Sequence, residues 1–383
     1  MKNWNSQRYK KEAIGNKVPD NIIRNVIAVG NKVTENRSCL PIYTFAHLCK
    51  QSSSDPKKLD RVVMRRSIST DYSNYRSFEI SKKGTSSKKR EINVPCPELL
   101  NIQKFINEYI LQSLNVHPAV CSYNKGAKIY DAAEIHCGCE WLVKIDIKDF
   151  FGSISEVNVY RVFRSVGYPA LLAFQMARVC TITKASDDFS SLVNNSKSYS
   201  LKKYNSSIRG YLPQGAPTSP LLSNIVCKKM DKIISSIADE NGFIYTRYAD
   251  DICLSSVDKN IKKSTCIEIV KKINCIIKSF NFEPNEKKLR IIPPGSRKVV
   301  LGLVVNGSKP HLTKSFKNNL TKHIHFCNHP DVGPELHSKH RKFDSVIGFR
   351  NHLKGLLAYS KQIDKNFSNK MYSQFEKIIW PIW

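Results

Sequence analysis

The sequence predicts an α+β fold, an antiparallel sheet backed on one face by helices. Two observations predict it. Strand-like stretches and segments with apolar residues at helical spacing follow one another in the order strand, helices, helix, strand–turn–strand, helix, strand. Two stretches, 75–95 and 243–255, read as hairpins, so antiparallel pairing is the simplest arrangement. The 383 residues suffice for a sizeable core and two or three subdomains, and 41% apolar with 10% aromatic residues indicates a globular chain.

The elements follow in order. Residues 1 to about 38 are polar, with one apolar stretch, "NIIRNVIAVG", that suits a short helix. From Leu40 to Met64 the pattern reads as two short helices around a Ser/Asp/Pro break. In 75–95, "SFEI" and "REINV" are strands joined by the basic turn "KKGTSSKK". Residues 97–115 have helical periodicity, and "EWLVKIDIKDFFGSI" begins as a strand and leaves it near Phe150. "SEVNVYRVFRSVG" and "PALLAFQMARVC" are helical, and 185–208, rich in Ser, Asn, Asp and Lys, is an exposed loop or insertion. A helix follows Pro220, another is "KSTCIEIVKKINCIIKSF", "RKVVLGLVVNG" is a strand pair, and the chain from 309 onward is mostly helical.

Composition narrows the partners. There are 61 Lys and Arg against 32 Asp and Glu, a net charge of +29 spread along the whole chain. Such an excess over a folded body favours a polyanion, most simply nucleic acid. The twelve cysteines lack a framework spacing, the opening "MKNWNSQRYKKEAIGNK" is too polar for a secretory signal, and no apolar run reaches membrane-span length. Free thiols in a reducing cytoplasm, with no membrane, are expected.

Against that charge, "FIYTRYADDICLS" sets Asp250 and Asp251 side by side at or near the turn of a hairpin. Tandem acids at a turn are commonly plain surface residues. Asp146 shifts the balance, because it interrupts the apolar strand "WLVKIDI", where an unpaired carboxylate is expensive. If the two strands are neighbours, three carboxylates converge, and such a cluster repels itself unless cations hold it. Hard oxygen ligands suit Mg²⁺, and two such ions about 3.5–4 Å apart can activate a 3′-hydroxyl and stabilise a leaving pyrophosphate. A third element, "GYLPQGAPTSPLLSN", is a shaped Pro/Gly turn running into a helix that starts near Thr218–Leu222.

With these residues in view, the chain over roughly 40–375 resembles a reverse transcriptase, most closely a bacterial retron reverse transcriptase. "YADD" resembles the YxDD box, "DIKDFF" the first catalytic aspartate motif, and "LPQGAPTSPLLSN" the retron form of the template-gripping motif. The resemblance implies a right-hand polymerase with fingers, antiparallel-sheet palm and helical thumb. It divides the chain into an N-terminal helical extension (1–64), fingers with some palm (65–140), palm (141–308) and basic thumb (309–383). It implies that Asp146, Asp250 and Asp251 hold two Mg²⁺ ions, with Ile147 adding its carbonyl. Phe151 matches the gate against a ribose 2′-hydroxyl. Asp149 and Phe150 would line the triphosphate, and Gln214 and Gly215 would meet nucleotide and template. Arg90 matches a triphosphate-clamping arginine, with Lys82 as helper, and Lys288 a candidate general acid. Leu301 and Gly302 in "LGLVV" resemble the primer grip.

Two retron signatures depart from pattern: "DAAEIH" (Asp131–His136) has Asp for Asn, and "VLG" (Val300–Gly302) has Leu for Thr. A different defence-associated reverse transcriptase is therefore the alternative, and a catalytically silent RNA-binding scaffold a more remote one. The implied partners are deoxynucleotides, a cognate structured noncoding RNA with its DNA product, and a separately encoded effector, in antiphage defence. Residues 309–383 carry a net charge of +8, and Lys314, Lys317, Lys322, Arg350 and Lys354 are candidates for phosphate contacts. His323, His325, Cys327, His329, His337 and His340 invite a zinc reading, but cysteine pairs at the usual spacing are missing, which favours packing or RNA-contacting histidines.

Overall fold

A computed structural model describes residues 4–35, 39–65, 74–81, 89–183 and 210–381. The chain opens with helices α1 (Ser6–Gly15), α2 (Asp20–Glu35), α3 (Phe45–Gln51) and α4 (Pro56–Met64). Thr44 and Asp55 cap α3 and α4 by accepting the amides of His47 and Lys57. Helix α1 lies within a stretch read as polar, outside the one apolar segment expected to be helical there. Its one buried residue is Ala13, so it has almost no apolar stripe to announce it. Next comes an antiparallel ribbon of β1 (Tyr75–Ser81) and β2 (Lys89–Pro95), with Ile80 opposite Arg90. The basic turn joining them and the loop expected over 185–208 lie outside the described residues. Helices α5 (Pro97–Tyr109) and α6 (Ile129–Glu134) precede the central sheet.

That sheet is antiparallel. It contains β3 (Trp141–Lys148), β4 (Ile244–Tyr248), β5 (Asp251–Ser256), β6 (Glu283–Pro284) and β7 (Arg290–Ile292). The order is β4-β5-β3-β6, with β7 also paired to β3. Side chains alternate across a strand. Val143, Ile145 and Ile147 of β3 enter the main core with residues of α7 (Glu156–Val166), α8 (Ala170–Val179), α9 (Ser219–Glu240) and α10 (Lys263–Ser279). Leu142, of opposite parity, packs on the other face with Cys253 of β5. Asp146 shares the parity of Leu142 and so points away from the helices.

On that second face lies a small sheet of β8 (Val299–Val300), β9 (Leu303–Val304) and β10 (His311–Leu312). The two residues joining β8 to β9 both have positive φ, 48° at Leu301 and 86° at Gly302, as a type I′ hairpin turn requires. Leucine there is strained, which makes this an unusually determined turn. Helices α11 (Lys314–Asn328), α12 (Gly333–His340), α13 (Val346–Ile363) and α14 (Lys365–Glu376) form a separate core around Leu320, Phe349, Leu353 and Phe375. Phe316, Tyr359 and Phe367 of this bundle also pack against the β8–β10 sheet.

Several polar residues singled out in the sequence serve this packing. His136, the end of "DAAEIH", is fully buried and bridges two strands, with Nδ1 2.7 Å from Ser255 Oγ and Nε2 2.6 Å from Thr246 Oγ1. Burial pushes its imidazole down to about 4, so it is neutral at pH 7. His323 and His337 form a buried pair, Nδ1 to Nε2 2.9 Å, edge-on to the Phe349 ring. All twelve cysteines are free thiols, and Cys275 is exposed.

The most buried charges join α9 to β4. Arg247 Nε and Nη2 donate to Asp231 Oδ1 and Oδ2, each at 2.7 Å, and the Tyr245 hydroxyl donates to Oδ1 at 2.7 Å. Arg247 and Asp231 have no solvent exposure. Removing one partner of such a pair strands the other charge in the core. Asp231→Ala is therefore expected to lower unfolding free energy by about 3–5 kcal/mol, read from the urea midpoint at constant m.

Candidate active site

The β3–β5 register sets Asp146 directly opposite Asp251. Asp250 is the second residue of the two-residue turn between β4 and β5, whose closing pair is Tyr248 and Asp251. The Ile147 amide donates to the Asp250 carbonyl at 3.0 Å. Within a strand a residue's N–H and C=O leave on the same side, so the Ile147 carbonyl also faces this turn. All three aspartates thus meet at the end of one strand pair.

The Asp146 carboxylate is almost fully buried and accepts two hydrogen bonds, from Lys288 Nζ at 2.6 Å and Asn285 Nδ2 at 2.8 Å. The Asn285 amide also donates to the Asp146 carbonyl at 2.7 Å. The 3₁₀ turn Glu286–Lys288, just after β6, thereby delivers an ammonium to the carboxylates. Its hydrogen bond with Asp146 raises the Lys288 pKa and keeps it charged. Burial pushes the Asp250 carboxyl up, and the charges of Asp251 and Asp146 push it further. Burial also raises Asp251, with Lys144 opposing and Asp146 adding to the rise. Among the described residues, no three His, Cys, Asp or Glu side chains stand ready in ligand geometry, and Asp146 is turned toward Lys288.

The turn itself is held from below. Ala249 adopts φ 55°, a left-handed conformation that is uncommon outside glycine. Its amide donates to Ser122 Oγ at 2.9 Å and its carbonyl accepts from Arg247 Nη1 at 3.0 Å. Arg247 Nη1 also donates to Asn224 Oδ1 at 3.2 Å. With both polar groups of Ala249 bound, the strained turn has a defined shape.

A cleft of about 1500 Å³ opens above the carboxylates. Arg90 and Ile92 of the ribbon, Phe151, Gln214 and Gly215 line it together with Asp146, Asp250 and Lys288. The Asn93 amide donates to the Gln214 carbonyl at 2.6 Å, joining ribbon to loop. Gly215 has φ 117°, and a Cβ there would come within 2.7 Å of the Asn93 carbonyl oxygen, so this closure needs glycine. The loop's start is anchored by buried Glu156, which accepts from the Gly210 amide at 3.1 Å and pairs with Arg65 and Arg178.

Other sequence expectations meet differing outcomes. Phe151 is half-buried at the cleft, whereas Phe150 is 4% exposed and packs against Phe282, so only its main chain can face a ligand. Asp149 has φ 44°, and its carbonyl accepts from the Ser153 amide and hydroxyl, both at 2.9 Å. Lys82 lies outside the described residues. Leu301 and Gly302 form the hairpin turn on the sheet's second face. Lys314, Lys322 and Lys354 are exposed on α11 and α13. Two of the five basic candidates have partners within the fold. Lys317 is ion-paired to Asp364 at 2.5 Å and lies over Phe367, and the Arg350 guanidinium packs 5.5 Å from the Trp380 ring. The sequence reading missed Ser122, Tyr123, Asn285 and the Arg247–Asp231 pair. Only Arg247 carried a signal: a charge inside an apolar strand, as with Asp146.

The family profile described as "Reverse transcriptase (RNA-dependent DNA polymerase)" matches residues 80–309. The chain belongs to the reverse transcriptases. Similar curated proteins are retron enzymes. This reverse transcriptase is 30% identical over 290 residues to the retron Ec86 reverse transcriptase of Escherichia coli, covering 75% of this chain and 80% of that one. It is 29% identical to the retron Mx162 enzyme of Myxococcus xanthus, covering 68% and 53%, and 27% identical to the retron Mx65 enzyme of the same species, covering 78% and 63%. Among solved structures, telomerase from Candida albicans with a telomeric RNA fragment aligns at a TM-score of 0.37 and 12% identity over 79% of this chain and 63% of that one. The protein is a bacterial retron-type reverse transcriptase, an RNA-directed DNA polymerase of right-hand fold, and its family depends on divalent metal.

The raised carboxylates make a signed prediction. A folded-state pKa above the unfolded one penalises the folded protein at pH values above it, and the penalty fades as pH falls below the unfolded value. In EDTA at pH 7, Asp250→Asn is therefore expected to raise the melting temperature. The stability gain should vanish below about pH 4, where both proteins are protonated or neutral at this position. A lowered melting temperature at pH 7 would contradict the electrostatic account.

Proposed function

We propose that this reverse transcriptase copies part of its own structured noncoding RNA into single-stranded DNA that remains branched from the RNA, primed by a 2′-hydroxyl of a guanosine. The setting is antiphage defence in the cytoplasm, with a separately encoded effector. The resemblance to retron enzymes and the net charge of +29 support a structured RNA partner. Among the described residues no helix is long and apolar enough to cross a membrane. The single observation that carries the chemistry is the Asp146–Asp251 register beneath an open cleft with Lys288 at its floor.

The donor set fits two Mg²⁺ ions by its chemistry. Three carboxylates and an inward-facing carbonyl are hard oxygen ligands, and two of the carboxyls are destabilised by burial and by one another. Asp146, Asp250, Asp251 and Ile147 would hold the ions, with Asp146 exchanging Lys288 for metal. When bound, the ions supply charge neutralisation at the attacking and leaving oxygens.

The chain's own residues do the rest. In the reaction a primer hydroxyl attacks the α-phosphate of a deoxynucleotide, forming a phosphodiester and releasing pyrophosphate. Arg90 on the ribbon, helped by Lys82, clamps the triphosphate, and Asp149 and Phe150 approach it through their main chain. Phe151 stands where a ribose 2′-hydroxyl would collide. Gln214 and Gly215 form the surface under nucleotide and template. Lys288, an ammonium released from Asp146 when metal binds, protonates the leaving pyrophosphate. The Leu301–Gly302 turn supports the primer, and Lys314, Lys322 and Lys354 meet duplex phosphates. In this reading residues 1–64 are an extension, 65–140 fingers with some palm, 141–308 palm and 309–383 thumb. The separate core of α11–α14 supports the last boundary.

Primer extension on poly(rA)/oligo(dT) with Mg²⁺ tests the chemistry. Lys288→Ala is expected to lower kcat by about 10²-fold with a flattened alkaline limb, as loss of a general acid implies. Absence of incorporation by the unaltered protein under any divalent metal would defeat the reading. Nucleic acid copurifying with the protein should shift in mobility after debranching treatment, and an unchanged mobility would refute the branched product.

A further inference from the structure

The segment 119–123 runs against the back of the catalytic hairpin. The Arg247 amide donates to the Ala119 carbonyl and the Cys121 amide to the Arg247 carbonyl, each at 2.9 Å. Ser122 accepts the Ala249 amide at 2.9 Å, and its carbonyl accepts from Asn224 Nδ2 at 2.8 Å. The next residue, Tyr123, has φ 62° and is 42% exposed. Its ring centroid lies 6.5 Å from Phe151 and 6.2 Å from Tyr248, both tilted, and it lines the cleft.

A bulky side chain in the left-handed region is costly and persists only where its surroundings impose it. Here the imposition comes from the segment's four hydrogen bonds to the hairpin and α9. The ring is presented to the cleft, between Phe151 and Tyr248, the residue that precedes the turn carrying Asp250.

The geometry points to Tyr123 as a specificity-determining residue, its ring forming with Phe151 a two-sided aromatic wall for the sugar of the incoming deoxynucleotide. The inference rests on the assignment of Phe151 as the gate. A deoxyribose offers C–H groups that pack on ring faces, while a ribose presses a hydroxyl against the same apolar surface without a partner. Discrimination of this kind is worth about 10–200-fold per group.

Single-nucleotide incorporation by the full chain on poly(rA)/oligo(dT), with dTTP or UTP, separates the outcomes. Tyr123→Ala is expected to raise the KM for dTTP about tenfold, a larger effect than on kcat, and to lower the dTTP-over-UTP preference about tenfold. Tyr123→Phe, which keeps the ring, should recover most of both. Phe151→Ala is measured alongside. If it relaxes the preference and Tyr123→Ala does not, the Tyr123 role is overturned while the gate stands. If neither variant changes the preference, the gate assignment itself fails. A fall in kcat with unaltered KM and preference would make Tyr123 a structural prop and overturn the proposal. Melting temperatures establish that each variant is folded, and should Tyr123→Ala melt early, Tyr123→Leu carries the same comparison.

Discussion

One constraint organises the molecule: Asp146 faces Asp251 across two neighbouring strands, next to Asp250, at the edge of an open cleft. Like charges so close cannot all be stable without a counter-charge. The structure supplies one from Lys288, an ammonium reaching Asp146 from the turn after β6. The surrounding architecture keeps these charges where they are. Strand β3 is paired on one side to β5 and on the other to β6 and β7, so a slip of one residue would turn Asp146 into the helical core.

A second layer of polar contacts fixes the turn without touching the cleft. The Arg247–Asp231 pair is buried, bidentate and shared with Tyr245, and the same guanidinium reaches the Ala249 carbonyl. Buried ion pairs are poor sources of net stability, since desolvation offsets attraction. What this one provides is direction. It gives a left-handed alanine a single orientation, and through it the two adjacent carboxylates.

The sequence made the long elements legible because their periodicity is strong. The hairpin at 243–255, the ribbon at 75–95 and the helices after Pro220 lie where spacing places them. Strands β6, β7 and β10 have two or three residues each, too few for a period to register, whereas the strand pair expected in "RKVVLGLVVNG" is found as β8 and β9. Asp146 was legible as a charge inside an apolar strand. Arg247 gives the same signal, yet its partner Asp231 sits sixteen residues earlier on a helix, where an acid is unremarkable. Basic surface residues were the least legible. Lys317 and Lys322 look alike in sequence, and only the fold brings Asp364 to the first. Positive φ at Tyr123, Ala249 and Leu301 had no sequence signal, since these residues do not favour that region.

The strand order carries a consequence for synthesis on the ribosome. The central sheet needs residues 141–148, 244–256 and 283–292 together, and β3 lies in the middle with partners that all emerge later. Loop closure over such separations is slow, and half-built sheets expose unpaired edges. A nascent chain therefore carries Asp146 on an unsatisfied strand for well over a hundred residues of elongation. Its carboxylate cluster can assemble only late, after β7 has left the exit tunnel.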